Sequence, residues 1–174
     1  MGTKYLKRFF KPTSIAVFGA SETENSMGGA VLQNLLESGY QGELMAVNSQ
    51  GYEQVYGIPC VKALGDLPEM PDLAIICSPP ETVPGIIRKL GANMVKAAVI
   101  LTGGLSSLNA ETKRTLHDEV RESARPYGIR ILGPDCMGML VPGHKMNASY
   151  SHMNIAKGKV AYVGQSGLLG TAMI

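Results

Sequence analysis

With 174 residues, 45% of them hydrophobic and 17% charged, the chain has apolar material for one sizeable α/β core. No apolar run reaches the roughly 18 residues that a membrane-spanning helix requires. A net charge of +2, no Trp, 6% aromatics and no basic stripe interleaved with rings argue against a nucleic-acid surface.

The N-terminus sets Lys4, Lys7, Arg8 and Lys11 among Tyr5, Leu6, Phe9 and Phe10. That is too charged for a secretory leader, and Leu6 stands where a myristoylation signal needs Ser or Thr. The segment reads as a short amphipathic helix against the core, ended by Pro12. Ile15 to Phe18 is a buried strand. Gly19, Ala20 and Ser21 then turn the chain without bulk, and a helix begins near Gly28 with Val31, Leu32, Leu35 and Leu36 on one face and Gly39 as its left-handed stop. Glu43 to Asn48 is the second strand. Gly51 to Pro71, crowded with Gly and Pro, reads as an extended connection with at most one short helix around Val61 to Gly65.

Leu73 to Cys77 is the third strand, cut off by Ser78, Pro79 and Pro80. Pro84 suits the first turn of the next helix, whose Ile86, Ile87 and Leu90 face the core until Gly91 ends it. Lys96 to Leu101 is the fourth strand. Asn109 is the expected N-cap of an amphipathic helix that carries Leu116, Val120 and Ala124 and closes at Pro126. Ile129 to Leu132 is the fifth strand, and its loop is Gly133 to Gly138. Alternating α and β elements with unbroken apolar strands imply a Rossmann-like, doubly wound, mainly parallel α/β sheet over residues 1–150. Met139 to Tyr150 reads as an irregular strap. Lys159 to Val163, followed by Gly164-Gln165-Ser166-Gly167, reads as the first strand and turn of a second α/β domain over 151–174, cut short at Ile174.

Four loops leave carboxyl ends of strands: Gly19 to Gly28, Asn48 to Gly51, Ser78 to Pro80 and Thr102 to Gly104. They offer backbone donors and hydroxyls with little bulk, as an open α/β sheet does where it holds a nucleotide. The turn after the first strand, with the positive end of the helix behind it, has the form of a phosphate cradle. NAD fits poorly, because Gly19 is followed by no second glycine before Gly28 and the second strand ends in Val47-Asn48 with no carboxylate for the ribose. An adenine nucleotide held without that acid stays open.

The order of Phe10-Lys-Pro-Thr-Ser-Ile-Ala-Val-Phe-Gly-Ala-Ser, Met27-Gly-Gly, Leu35-Leu-Glu-Ser-Gly-Tyr, Ala46-Val-Asn, Asp72-Leu-Ala-Ile, Gly133-Pro-Asp-Cys-Met-Gly and Gly164-Gln-Ser-Gly resembles the N-terminal CoA-binding domain of NDP-forming acyl-CoA synthetases, which are similar to the α subunit of succinyl-CoA synthetase. Asn147-Ala-Ser-Tyr and Tyr5-Leu-Lys-Arg-Phe-Phe look most like the bacterial proteins fused to a GNAT domain that acetylates protein lysines. The resemblance implies CoA or acetyl-CoA as ligand. Gly19, Ala20 and Ser21 with Ser26, Met27 and Gly28 would hold its diphosphate. Val47, Asn48, Ser49 and Gln50 would border the adenosine, and Ser78, Pro79 and Pro80 would flank the nucleotide. Leu101, Thr102 and Gly103 would follow the pantetheine, and Pro134, Asp135 and Cys136 would lie near the thiol.

Three positions depart from that family: Ser49-Gln50 stand where Pro and a cation are usual, Asp135 where Asn is usual, and Gly103 where succinyl-CoA synthetase has Glu. The resemblance puts the phosphorylated histidine of the synthetases in a following domain. His117, His144 and His152 read as solvated, Cys77 as core, and Glu111, Asp118, Glu119 and Glu122 as a helix face, so no catalytic residue and no metal ligand is expected here. The three separated cysteines, Cys60, Cys77 and Cys136, suit a reducing, cytoplasmic setting. The expectation is a CoA-binding fragment, inactive alone, of a protein lysine acetyltransferase. The alternatives are an active NDP-forming acyl-CoA synthetase and a CoA-sensing module without catalysis. A Glu at Gly28 is expected to abolish CoA binding in a domain that stays folded.

Overall fold

The computed structural model describes residues 3, 5–106, 114–153 and 155–173. A short helix α1 (Leu6–Phe10) precedes β1 (Ser14–Phe18), α2 (Met27–Glu37), β2 (Glu43–Val47), β3 (Gln54–Val55), β4 (Ile58–Val61), β5 (Leu73–Ile76), α3 (Val83–Ala92), β6 (Ala97–Ile100), α4 (Leu116–Ala124), β7 (Arg130–Leu132), β8 (Gly138–Val141), β9 (Met146–Ser149) and α5 (Gly167–Met173). The main sheet runs β3-β4-β2-β1-β5-β6-β7, and all its neighbours are parallel except β3 with β4. The Rossmann-like reading holds. The chain winds outward from β1 through β2 to β4 and then returns to β5 on the other side of β1. That reversal puts the switch point, where such sheets open a crevice, between β1 and β5.

Strand alternation divides the core. Ile15, Val17, Leu73, Ile75, Ala97 and Val99 point to the face covered by Val31, Leu32 and Leu35 of α2 and by Met146 and Ala148 of β9. Ala16, Phe18, Ala74, Ile76, Ala98 and Ile100 point to the face covered by Ile87 and Leu90 of α3 and Leu116, Val120 and Ala124 of α4. With both faces covered, the central strands β1, β5 and β6 are buried throughout, as their unbroken apolar runs require.

Several expectations need correction. Gly51 to Pro71 is not merely extended, because β4 adds to the edge of β2 and pairs back onto β3. Tyr56 (φ 49°) and Gly57 (φ 78°) form a two-residue turn between them, whose left-handed pair matches the strand twist. Leu36 is 40% exposed, and Asn34 takes the buried place on that flank of α2. Gly91 does not end α3. It lies inside the helix because the Tyr127 ring occupies the space where a Cβ would stand, and the left-handed turn comes at Met94.

The cap expected at Asn109 lies outside the described residues; among those described, Thr115 caps α4, its hydroxyl accepting the N–H of Asp118. The strap of residues 139–150 is an ordered hairpin, β8 with β9. Asn34 Nδ2 latches it to α2 with 2.8 Å bonds to the carbonyls of Ser149 and Ser151. Lys159 to Val163 forms no strand: no neighbour ladders with it among the described residues, and Val160 and Val163 are more than nine-tenths exposed.

Candidate functional site

The turn after β1 is shaped by close backbone approach. Gly19 is left-handed (φ 82°), and a Cβ there would stand 2.9 Å from the Cys77 carbonyl at the end of β5. Gly28 seats the first turn of α2 on that same turn, since its Cβ would fall 2.2 Å from the Gly19 carbonyl oxygen. The collision is with backbone, so a side chain at Gly28 must disturb the fold. The expectation that a Glu there leaves the domain folded is corrected on that ground.

Ser26 is the N-cap of α2: its hydroxyl accepts Gly29 N–H at 3.1 Å and donates to the Ser21 carbonyl at 2.8 Å. Ser21 in turn accepts Thr23 N–H at 3.0 Å and donates to Thr23 Oγ1. Both serines therefore build the loop, and Gly29 and Ala30 return their N–H groups to Ser26. The N–H groups of Met27 and Gly28 have no partner among the described residues. They point from a helix end with partial positive charge, which is the donor set a diphosphate needs.

Asn48 knits the neighbouring loop to this one. Its Nδ2 donates to the Ala20 carbonyl at 2.7 Å, its Oδ1 accepts Gln50 N–H, and its own N–H bonds the Val61 carbonyl at the end of β4. Ser49 and Gln50 are exposed, whereas Val47 and Ala20 are core residues. Glu22 reaches the turn of the β3–β4 hairpin, accepting Tyr56 N–H at 2.6 Å. The Tyr56 hydroxyl lies 3.4 Å from where a Cβ on Gly29 would be, so the hairpin borders the start of α2.

On the other side of the switch point, Ser78, Pro79 and Pro80 lead into a single helical turn, with Thr82 bonded back to the Pro79 carbonyl. Thr102 joins this loop to the next, donating to the Ser78 carbonyl at 2.8 Å and accepting Asp135 N–H at 3.2 Å. Leu101 is buried in the core, which leaves half-buried Gly103 and exposed Gly104 at the edge. Asp135, left-handed at φ 54°, follows Pro134 and sets its Oδ1 2.9 Å from where a Cβ on Gly103 would be. Cys136 hangs its sulfur 3.4 Å from the Ile100 carbonyl.

The thiols here are poor nucleophiles. Burial pushes Cys77 up to about 12, with the Cys136 thiol adding to it. Burial also raises Cys136; nearby N–H groups oppose that, and the Asp135 charge reinforces it. His144 and His152 are exposed, within and just after the β8–β9 hairpin, and exposed His117 lies in the first turn of α4 with its N–H on the Leu105 carbonyl, beyond Gly104. Two cavities lie elsewhere. One of about 310 Å³ sits by α3 and α4, among Arg88, Arg114, Glu122 and Tyr127; one of about 320 Å³ sits between the end of α2 and the β8–β9 hairpin. The first is lined by side chains already paired, Arg114 with Glu122 and Arg88 with Ser123.

Sequence reasoning missed Tyr56 and Lys62 because it did not see β3 and β4. The Val-Tyr-Gly-Ile run, with a Gly-containing two-residue turn between apolar residues, was the available signal.

Comparison with known proteins agrees with this geometry. The CoA binding domain family model matches residues 13–142. The α subunit of an ADP-forming acetate–CoA ligase I from Pyrococcus furiosus is 35% identical over 97% of this chain and 37% of its own length. An ADP-forming acetate–CoA ligase from Methanocaldococcus jannaschii is 34% identical over 97% of the chain and 23% of its own length. The chain thus spans well under half of these relatives. A dinucleotide-forming acetyl-coenzyme A synthetase 1 from Ca. Korarchaeum cryptofilum, solved with phosphate and ADP, superposes with a TM-score of 0.87 at 34% identity, over 97% of this chain and 35% of that one. These ligase relatives overturn the expectation of a protein lysine acetyltransferase parent.

Proposed function

The chain belongs to the CoA-binding domain family, and we propose that it is the CoA-holding part of an ADP-forming acid–CoA ligase acting on acetate or a similar small acid. The observation that carries this reading is the seat made by Gly19 and Gly28, with the unpartnered Met27 and Gly28 N–H groups above it. CoA fits that donor set better than NAD does. Its diphosphate takes the helix N-terminus, its neutral pantetheine needs only small polar loops, and no carboxylate ends β2 to bind a ribose diol.

In this reading Gly19 to Ser21 and Ser26 to Gly28 surround the diphosphate, with Ser21 and Ser26 acting by shaping the loop. Val47 to Gln50 border the adenosine, Ser78 to Pro80 flank the nucleotide, Leu101 to Gly103 follow the pantetheine, and Pro134 to Cys136 stand near the thiol. Val47, Ala20 and Leu101 contribute backbone only, since their side chains are in the core. Residues 151–174 begin a second unit. The more than nine-tenths exposure of Val160 and Val163 favours that assignment, because extended apolar side chains call for a covering partner.

Two measurements test the proposal. Calorimetric titration of the chain is expected to show binding of CoA and acetyl-CoA and none of NAD; NAD binding without a response to CoA would refute the site. The parent protein, given ATP, is expected to release ADP over many turnovers only when both acetate and CoA are present. Sustained ADP release, beyond one equivalent per site, without CoA would refute the ligase assignment.

A further inference from the structure

CoA carries two kinds of anion, the diphosphate and a 3′-phosphomonoester on the adenosine ribose with about −1.5 to −2 charge at pH 7. The unpartnered N–H groups at the start of α2 suit the diphosphate. A terminal phosphomonoester outside that cradle calls for a side-chain cation. Among the described residues of the loops that leave carboxyl ends of the parallel strands (19–26, 48–53, 62–66, 77–82, 101–106 with 114–115, and 133–137), the Lys and Arg residues are Lys62 and Arg114, and Arg114 is paired with Glu122.

Its placement is specific. Lys62 follows β4, which pairs with β2 so that Cys60 and Val61 lie beside Ala46 and Val47, and Asn48 N–H bonds the Val61 carbonyl. The side chain therefore starts next to the Asn48 to Gly51 loop, and it runs across it. A Cβ on Gly51 would stand 2.7 Å from Lys62 Cε and 3.5 Å from Nζ. Gly51, left-handed at φ 83° and without a side chain, leaves the room that the lysine stem fills. The exposed ammonium meets no hydrogen-bond or ion-pair partner among the described residues, and the nearby Asp66 is turned to Ala63 N–H. An unpaired cation laid over the loop assigned to the adenosine is a receptor for a phosphomonoester there.

We infer that Lys62 binds the 3′-phosphate of CoA and sets the preference of this site for CoA over dephospho-CoA. It replaces, from a neighbouring strand, the charge that Ser49 and Gln50 lack. The inference rests on the CoA reading above.

The test is a calorimetric cycle over two ligands and three proteins: the 174-residue chain, Lys62→Met, which keeps the aliphatic cover over Gly51, and Lys62→Arg. The unaltered chain is expected to prefer CoA over dephospho-CoA by about tenfold, the scale of one exposed charge-assisted contact. Lys62→Met should lose most of that preference by weakening CoA alone, and Lys62→Arg should restore it. An unchanged preference in Lys62→Met overturns the inference, and so does an equal loss for both ligands. An unaltered chain that binds neither ligand overturns the CoA reading itself, which separates the two failures.

Discussion

At the amino edge of the sheet, Asp72 at the head of β5 accepts Thr13 N–H at 3.0 Å and Thr13 Oγ1 at 2.7 Å, pairs with Arg8 of α1 at 3.5 Å, and gives its own N–H to Ser14. At the carboxyl edge of the same strands, Met27 and Gly28 keep unpartnered N–H groups and Lys62 keeps an unpaired ammonium. The Asp72 cluster satisfies its polar groups within the chain and so fastens α1, β1 and β5 together. The carboxyl edge leaves donors and a cation unsatisfied in loops held rigid by Ser26, Asn48 and Thr102. Polar groups that a fold pairs internally serve stability, and those it orients without pairing are available to a ligand.

Substitutions can break this contrast. The largest effect is expected from Gly28→Ala, where overpacking against the Gly19 carbonyl should cost about 2–3 kcal/mol in chemical denaturation and abolish CoA binding together. A stable, CoA-competent Gly28→Ala protein would mean that the close seat is not required. Asp72→Asn should lower stability by about 1–2 kcal/mol while CoA affinity stays the same.

The pH dependence follows from Asp72. Burial, which raises its pKa, is outweighed by the two Thr13 hydrogen bonds and the charges of Arg8 and Lys7, so its carboxyl lies below the usual carboxylate range. The unfolded chain then takes up this proton more readily than the folded one. The stabilisation is complete above the usual carboxylate range and is lost as pH falls through the lowered value, and Asp72→Asn should flatten that part of the acid limb.

Ser26→Ala should cost about 1 kcal/mol of stability as a lost N-cap and, unlike Asp72→Asn, should also weaken CoA. An unchanged CoA affinity would show that the cap serves the helix alone. The smallest effect is expected at Asp135→Asn, which keeps a residue tolerant of left-handed backbone. Removing that charge should lower the raised Cys136 pKa slightly, seen as alkylation extending to lower pH, with burial still dominant.

Much of this was legible in the chain itself. Ile15 to Phe18, Leu73 to Ile76 and Ala97 to Leu101 are buried on both faces, so their apolar runs announced central parallel strands. Glycine at 19 and 28 marked the turn because close backbone approach leaves no alternative residue. The edges were harder to read. Pro59 and the flanking glycines disguised β4, which ladders with β2 only at Cys60 and Val61 and with β3 only at Ile58 and Pro59, and the buried polar residues Asn147, Ser149 and Ser151 disguised a hairpin held by hydrogen bonds to Asn34 rather than by apolar burial alone. Lys62 became visible as part of the site only once β4 placed it beside Asn48. Lys159 to Val163 has the composition of a strand, but a strand needs a neighbour to pair with.

The most direct test of the contrast between the edges is amide chemical-shift mapping of the chain during titration with CoA. The N–H groups of Met27 and Gly28 should shift most, with 48–51 and 103–104 following, while Thr13 and Asp72 stay in place. Shifts centred on Thr13 and Asp72, or on Arg88, Ser123 and Tyr127, with Met27 and Gly28 unmoved, would contradict a ligand site at the carboxyl edge.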